Sequence, residues 1–292
     1  MDEKLRSHDE KWSRSRASGN ATSFSEWIYL TQTLQTLCIG AESEHYRRLK
    51  GDEAHTMGAI YWQLNDIWQA PTWSSTEFGG RWKMLHYSAR RFFSPVLVSA
   101  YEDPLDSLHV YVTSDLTSAL SNGSLVLTVW SWKGQKISET TVVSGAQIQA
   151  LQSKQVYGTS ISSLLTSLNT NRTSVVITFQ WTSSVASSSP LIQKMAQDNT
   201  IQSPSFSLTR SSLQETYTVS ASNLFYPSSF ADADLQRPTI KIDVIGFNNG
   251  GQEGPIVTVS VVSSQVAPFV FLQSTLSGRF SDNGILVLKD TP

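Results

Sequence analysis

The sequence predicts a mixed fold: a helix, a buried strand and a second helix over residues 23–95, then antiparallel β-sandwiches to residue 292. Three observations lead there. Apolar residues recur at helical spacing around residues 27–41 and again around 82–93, and a short apolar run without alternation, residues 57–62, lies between them. After Pro95 the chain changes to short runs of valine, threonine and aromatics separated by serine, asparagine and glycine. Helix, buried strand and helix form the unit repeated in barrels and doubly wound sheets, whereas short, regularly spaced strands belong to sandwiches.

Residues 1–22 are charged and lack apolar periodicity, which predicts a poorly ordered N-terminal segment. Ser23, followed three residues later by Glu26, has the pattern of a capping box that starts a helix. Trp27, Leu30, Leu34, Leu37, Cys38 and Ala41 then predict one apolar, buried stripe, with Cys38 as a small buried thiol. Arg47, Arg48 and Lys50 suit the negative end of the helix dipole, and Gly51 can supply a left-handed stop. Met57 to Trp62 reads as a strand buried on both faces, as in a parallel sheet. Trp82, Leu85, Ala89, Phe92 and Phe93 predict a second helix, ended by Ser94-Pro95.

Beyond it, residues 107–114, 124–132, 174–182, 239–246, 256–263 and 267–272 read as strands. The serine-rich stretch at residues 183–189, with the looser sequence through about residue 212, is the expected division between two sandwiches. That gives domains at 23–95, 96–205 and 206–292, the last incomplete.

Composition removes several function classes. The balance of 22 Lys and Arg against 24 Asp and Glu, a net charge of -2, carries no footprint for nucleic acid or an anionic membrane. No apolar run approaches the ~20 residues that cross a bilayer. The single cysteine excludes an internal disulfide and a multi-cysteine metal site, and His45, His55 and His86 fit no metal spacing. No cofactor or metal is expected. Asn20-Ala21-Thr22, Asn122-Gly123-Ser124 and Asn171-Arg172-Thr173 are sequons for N-glycosylation, which imply a secretory route. The charged start has no signal-peptide core, and the two observations are compatible only if the start has been lost.

Four of the nine tryptophans fall at Trp62, Trp68, Trp73 and Trp82, with Asn65 and Asp66 among them. Such a cluster either walls a ligand with flat faces and hydroxyls or fills an aromatic core, with Asp66 capping a turn. Polar residues directly after a buried strand fall where α/β enzymes place their active sites.

The run YWQLNDIWQAPTWSS, followed by FGGRWKMLHYSARRFFSP, resembles the last barrel strand and helix of the β-mannosidases, a branch of the retaining exo-glycosidases that includes β-galactosidase and β-glucuronidase. The resemblance extends back over IYLTQTLQTLCIGAESEHYRRLKG and, more weakly, forward into SSQVAPFVFL and GRFSDNGILV. It implies a C-terminal fragment of a (β/α)8 barrel followed by immunoglobulin-like antiparallel β-sandwich domains. It also implies removal of terminal β-linked mannose from oligosaccharides or glycoproteins in a lysosomal or secretory compartment.

Members of the family use two glutamates, roughly 5–5.5 Å apart, as acid/base and nucleophile. Neither position falls within this sequence, so the expected catalytic set is empty and the chain alone is expected to be inactive. Thr76-Glu77-Phe78-Gly79 imitates the setting of a nucleophile but follows the wrong strand. Carried over position by position, the resemblance makes Trp62 the wall for the terminal mannose, Asn65 and Asp66 hydroxyl ligands or supports of that wall, and Trp68 and Trp73 its rim. The rival reading is a non-catalytic, carbohydrate-binding or interaction protein built of sandwiches, which would bind sugar through residues after Pro95.

Overall fold

A computed structural model of the protein describes residues 21–51, 54–198, 205–210, 216–250 and 254–289. Residues 1–20, with the expected disorder there and the sequon at Asn20, lie outside the described residues. Helix α1 (Ala21–Arg48) runs into a short 3-10 turn (Leu49–Gly51), and α2 (Met84–Phe92) packs against it. Because α1 already includes Ala21 and Thr22, Ser23 does not mark its start. Gly51 closes the 3-10 turn and is not left-handed. A Cβ there would stand 2.1 Å from the Ser153 carbonyl oxygen, and that close approach is what requires glycine.

The buried face of α1 is not its apolar stripe. Thr36 and Ser43 are buried at 4% exposure and Arg47 at 6%, while Leu30 is 40% and Leu34 45% exposed, and Cys38 is exposed as well. On the packed side Gln32 Oε1 accepts from the Met84 amide, Gly40 lies against Ser88 and Phe92, and the Thr33 hydroxyl meets Met84 Sδ. These positions share a stripe about 140° round the axis from the apolar one. Small and polar residues there admit α2 closely, and the leucines face outward.

The buried strand expected at residues 57–62 does not form. Met57 is 81% and Ile60 99% exposed, and the segment belongs to no ladder. An interior strand needs partners for its amides and carbonyls on both sides, and among the described residues the backbone bonds of this region begin only at Gln63 and Leu64.

The first sandwich packs two sheets face to face. One has the order β1-β2-β5, from β1 (Val96–Glu102), β2 (Ser107–Ser114) and β5 (Ser153–Ser160). The other has the order β4-β3-β6-β8-β7, from β3 (Leu120–Ser131), β4 (Lys136–Ile148), β6 (Val175–Ala186), β7 (Phe206–Arg210) and β8 (Thr216–Phe225). Helices α3 (Ile161–Ser167) and α4 (Pro190–Asp198) lie in the connections. The core between the sheets includes Val98, Val110, Leu127, Phe179, Trp181 and Val219.

The expected division at residue 205 is therefore corrected. β8 pairs with β6 from Ile177↔Phe225 to Ala186↔Thr216, and β7 adds beyond it. Residues 183–186 of the serine-rich stretch that signalled a linker are the end of β6, where Thr182 and Ser184 occupy outward positions and Trp181, Ser183 and Val185 inward ones.

The chain then forms two antiparallel pairs, β9 (Ile240–Asn248) with β10 (Ile256–Ser263) and β11 (Ala267–Val270) with β12 (Ile285–Val287), around Val261, Ala267 and Val287. Trp132, Val176 and Val266, with Tyr226 and Phe230, join this C-terminal unit to the first sandwich. Among the described residues no helix is long and apolar enough to cross a membrane, and no group of three His, Cys, Asp or Glu is placed to hold a metal.

Candidate functional site

Residues 61–83 form a loop tied to its own backbone. The amides of Ser75 and Thr76 donate to the carbonyls of Gln63 (3.0 Å) and Leu64 (2.9 Å), and the Asp66 amide donates to the Thr76 carbonyl (3.0 Å). Gly79 and Gly80, at φ 98° and 88°, close the turn in which the Glu77 amide meets the Arg81 carbonyl (2.8 Å). Ser75 Oγ sits among Tyr61 Oη (2.9 Å), His86 Nδ1 (3.0 Å) and the Leu64 carbonyl (2.9 Å). Burial, and then Arg90, hold His86 below the usual imidazole range.

Asp66 is the anchor of this loop. It is 6% exposed; Lys83 Nζ meets one carboxylate oxygen at 2.9 Å and the Thr72 hydroxyl donates to the other. Lys83 Nζ also donates to Ser74 Oγ (2.7 Å). Burial opposes the Asp66 charge, but Thr72, Lys83 and Ser74 outweigh it and hold the carboxyl below its usual range. Its oxygens thus serve the loop internally. Asn65, one residue earlier, is exposed, and its Nδ2 donates to the Asp66 carbonyl (3.2 Å).

The indoles lie outside. Trp62 is 73%, Trp68 64% and Trp73 66% exposed, and Gln35 of α1 holds the Trp73 carbonyl at 2.7 Å. The peptide bond between Trp62 and Gln63 is cis. Trp82 differs from these. It meets His86 and Tyr87 edge-on, with ring centroids at 4.3 and 5.1 Å, and the guanidinium groups of Arg90 and Arg279 lie 5.7 and 5.2 Å from its ring. Glu77 makes a 3.9 Å pair with Arg81 at the surface.

The helical unit is fixed to both sandwiches. Arg47 donates to the carbonyls of Phe92 (2.6 Å) and Ser94 (2.8 Å) and to Asp115 (2.8 Å), which also takes Lys50 (2.6 Å). Glu44 accepts from Asn223 Nδ2 (2.8 Å), which also reaches the Val98 carbonyl. Burial pushes the Glu44 carboxyl up, against the opposing pull of Asn223, Arg48 and Arg47. Arg91 pairs with Asp282 (2.6 Å), and Arg90 donates to the Ser281 carbonyl (2.6 Å). Sequence reasoning missed the roles of Asp115 and Asn223, because a partner 68 or 179 residues away leaves no local spacing to read.

Two exposed asparagines in sequons belong to the first sandwich. Asn122 lies at an irregularity of β3 with φ 53°, and Asn171 precedes a 3-10 turn whose amides its Oδ1 caps.

The fold and its matched domains define a class: immunoglobulin-like sandwiches of the mannosidase kind behind a helical unit. The family model described as a mannosidase Ig/CBM-like domain matches residues 106–230, and that of an Ig-fold domain matches residues 235–292. The β-mannosidase of Capra hircus is 34% identical over 92% of this chain and 27% of its own length, and that of Rattus norvegicus is 35% identical over 91% and 27%. The β-mannosidase A of Aspergillus niger is 39% identical over 50% of the chain. Among solved structures, the β-D-mannosidase of Dictyoglomus thermophilum superposes with a TM-score of 0.63 at 19% identity, over 91% of this chain and 27% of that one. The exo-chitosanase of Amycolatopsis orientalis does so with 0.58 at 15%, over 89% and 30%. The chain corresponds to the C-terminal portion of β-mannosidases, and it spans 27% of the length of the animal relatives it matches.

Proposed function

We propose that this chain is the C-terminal part of a glycoside hydrolase that removes terminal, non-reducing β-D-mannose from oligosaccharides or glycoproteins in a lysosomal or secretory compartment. In this reading Ala21–Phe92 is the last unit of a (β/α)8 barrel, and Trp62 faces the terminal mannose. Asn65 is a hydroxyl ligand, Asp66 the internal support of the wall, and Trp68 and Trp73 the rim. The acid/base and the nucleophile come from sequence other than these residues.

The observation that carries this reading is the pairing of a rigid loop with outward indoles. The Asp66–Lys83 pair and the Ser75 cluster hold the backbone, while Trp62, Trp68 and Trp73 stand in solvent. An indole face fits the C–H face of a pyranose. The exposed leucines of α1, with the exposed Met57 and Ile60, support a barrel neighbour, since large apolar side chains left in solvent in this number ordinarily have a partner. The carboxylates beside the wall, Asp66 and Glu77, are already paired with Lys83 and Arg81.

The test is a chimera in which residues 21–289 replace the matching part of the Capra hircus β-mannosidase, assayed on an aryl β-D-mannoside. The chimera hydrolyses it, Trp62→Ala lowers kcat/KM by about 10–100-fold, and the isolated chain shows no turnover. Turnover by the isolated chain that Glu77→Gln abolishes would overturn the reading.

A further inference from the structure

We infer that Asn122 and Asn171 both carry N-linked glycans, and that the fold is built to keep them. The inference rests on the secretory compartment proposed above, but not on hydrolysis.

A glycosylated sequon is compatible with a fold only if the folded chain can carry the bulky product at its surface. At Asn171 the two ends of the side-chain amide have separate tasks. Oδ1 accepts from the amides of Thr173 (3.0 Å) and Ser174 (3.1 Å) and from the Thr173 hydroxyl (2.9 Å), while Nδ2 donates to no other described group. Glycosylation replaces one Nδ2 hydrogen and leaves Oδ1 an acceptor, so the cap survives. The single proton of Thr173, the sequon hydroxyl, is shared between Asn171 Oδ1 and Asp234 Oδ2 (3.0 Å), and the turn is therefore held without Nδ2.

Asn122 is exposed by a different device. The pairing of β3 with β6 shifts between Ser121 and Ser124, and Asn122 takes a left-handed φ of 53° there. The cause lies in the core: a Cβ on Gly123 would stand 2.2 Å from the Trp181 ring, which is fully buried. The indole claims the space at the middle residue of the sequon, and the strand bulges around it. Neighbouring outward positions across the strands are Ser124, Thr182, Ser220 and Ser207, paired in register and without charge. A neutral glycan can lie there without displacing an ion pair.

The transfer balances simply. Nδ2 attacks C1 of the oligosaccharide on a polyprenyl diphosphate; the C1–O bond to the diphosphate breaks, the amide loses one proton, and the lipid diphosphate leaves. The co-reactant and the transferase belong to the secretory compartment.

The experiment expresses the full chain, with Asn20→Gln and an added cleavable secretion leader, in eukaryotic cells. Peptide N-glycosidase in 18O water then marks each formerly glycosylated asparagine as labelled aspartate, read by mass spectrometry of tryptic peptides. Label is expected at both 122 and 171, with one glycan lost in Asn122→Gln, one in Asn171→Asp, and both in the double variant. Asn171→Asp keeps an acceptor for the cap, so its loss of glycan is not a loss of fold. Chain retained in the cells is analysed in the same way after detergent lysis. An unlabelled asparagine at either position in chain with the mature leader-cleaved end overturns the inference for that position.

Discussion

Lys83 Nζ and the Asp66 carboxylate meet at 2.9 Å with both side chains less than a tenth exposed, and around this pair the loop carrying Trp62 is organised. Removing the cation leaves a buried carboxylate without its charge partner, whereas removing both groups leaves neither. Lys83→Met is therefore expected to lower stability by about 3–5 kcal/mol, and the double variant with Asp66→Leu to regain most of it. Urea midpoints of the three proteins check this.

Trp62 is expected to behave in the opposite way. Its ring is 73% exposed, so Trp62→Ala should change stability by no more than about 0.5 kcal/mol. The same substitution should impair the chimeric enzyme. Paired thermal melts and kinetics separate a wall for substrate from a core side chain, which would fail both.

Gly123→Ala should destabilise the first sandwich by about 1–3 kcal/mol, since the added methyl would have to displace the buried Trp181 ring. Near-ultraviolet circular dichroism, which reports the tryptophan environment, should change along with the melting midpoint.

Glu44 gives the stability curve a defined slope. Its carboxyl is held above the usual range by burial, so the folded chain binds that proton more tightly than the unfolded one. Between the ordinary carboxylate value and the raised one, stability from this group falls as pH rises. Asp66, and Asp103, whose carboxylate is held by the His109 ring and the Ser107 amide, lie below the usual range, so their contribution is full above it and is lost as pH falls through the lowered values. Glu44→Gln should flatten the fall on the less acidic side and leave the acid limb unchanged. Urea titrations from about pH 4 to about pH 8 test both limbs.

Much of the fold was readable from sequence, and each failure has a physical origin. Ser107–Ser114 and Ile256–Ser263 form at the expected residues, because alternating β-branched residues declare a half-buried strand locally. β8 was missed because its outward positions are serine and threonine and an inward one is Ala221, which gave a weak alternation that serine-rich flanks disguised. The α1 reading failed for another reason. Periodicity identifies the apolar stripe but not the neighbour that covers it, and here Thr36, Gly40 and Ser43 take the nearer neighbour. At the site, the tryptophans were legible as a cluster, but only the geometry separates exposed Trp62 from Trp82, held between two arginines, and turns Asp66 inward.

Arg47 binds the end of α2, the Ser94 carbonyl and Asp115 with one guanidinium, across the short connection that leads from the helices into β1. That connection is consequently a weld and not a hinge. The immunoglobulin-like sandwich acts as a datum from which the position of the Trp62 loop is set, and a substitution at Asp115, on the sandwich side of that weld, would shift the alignment of that loop.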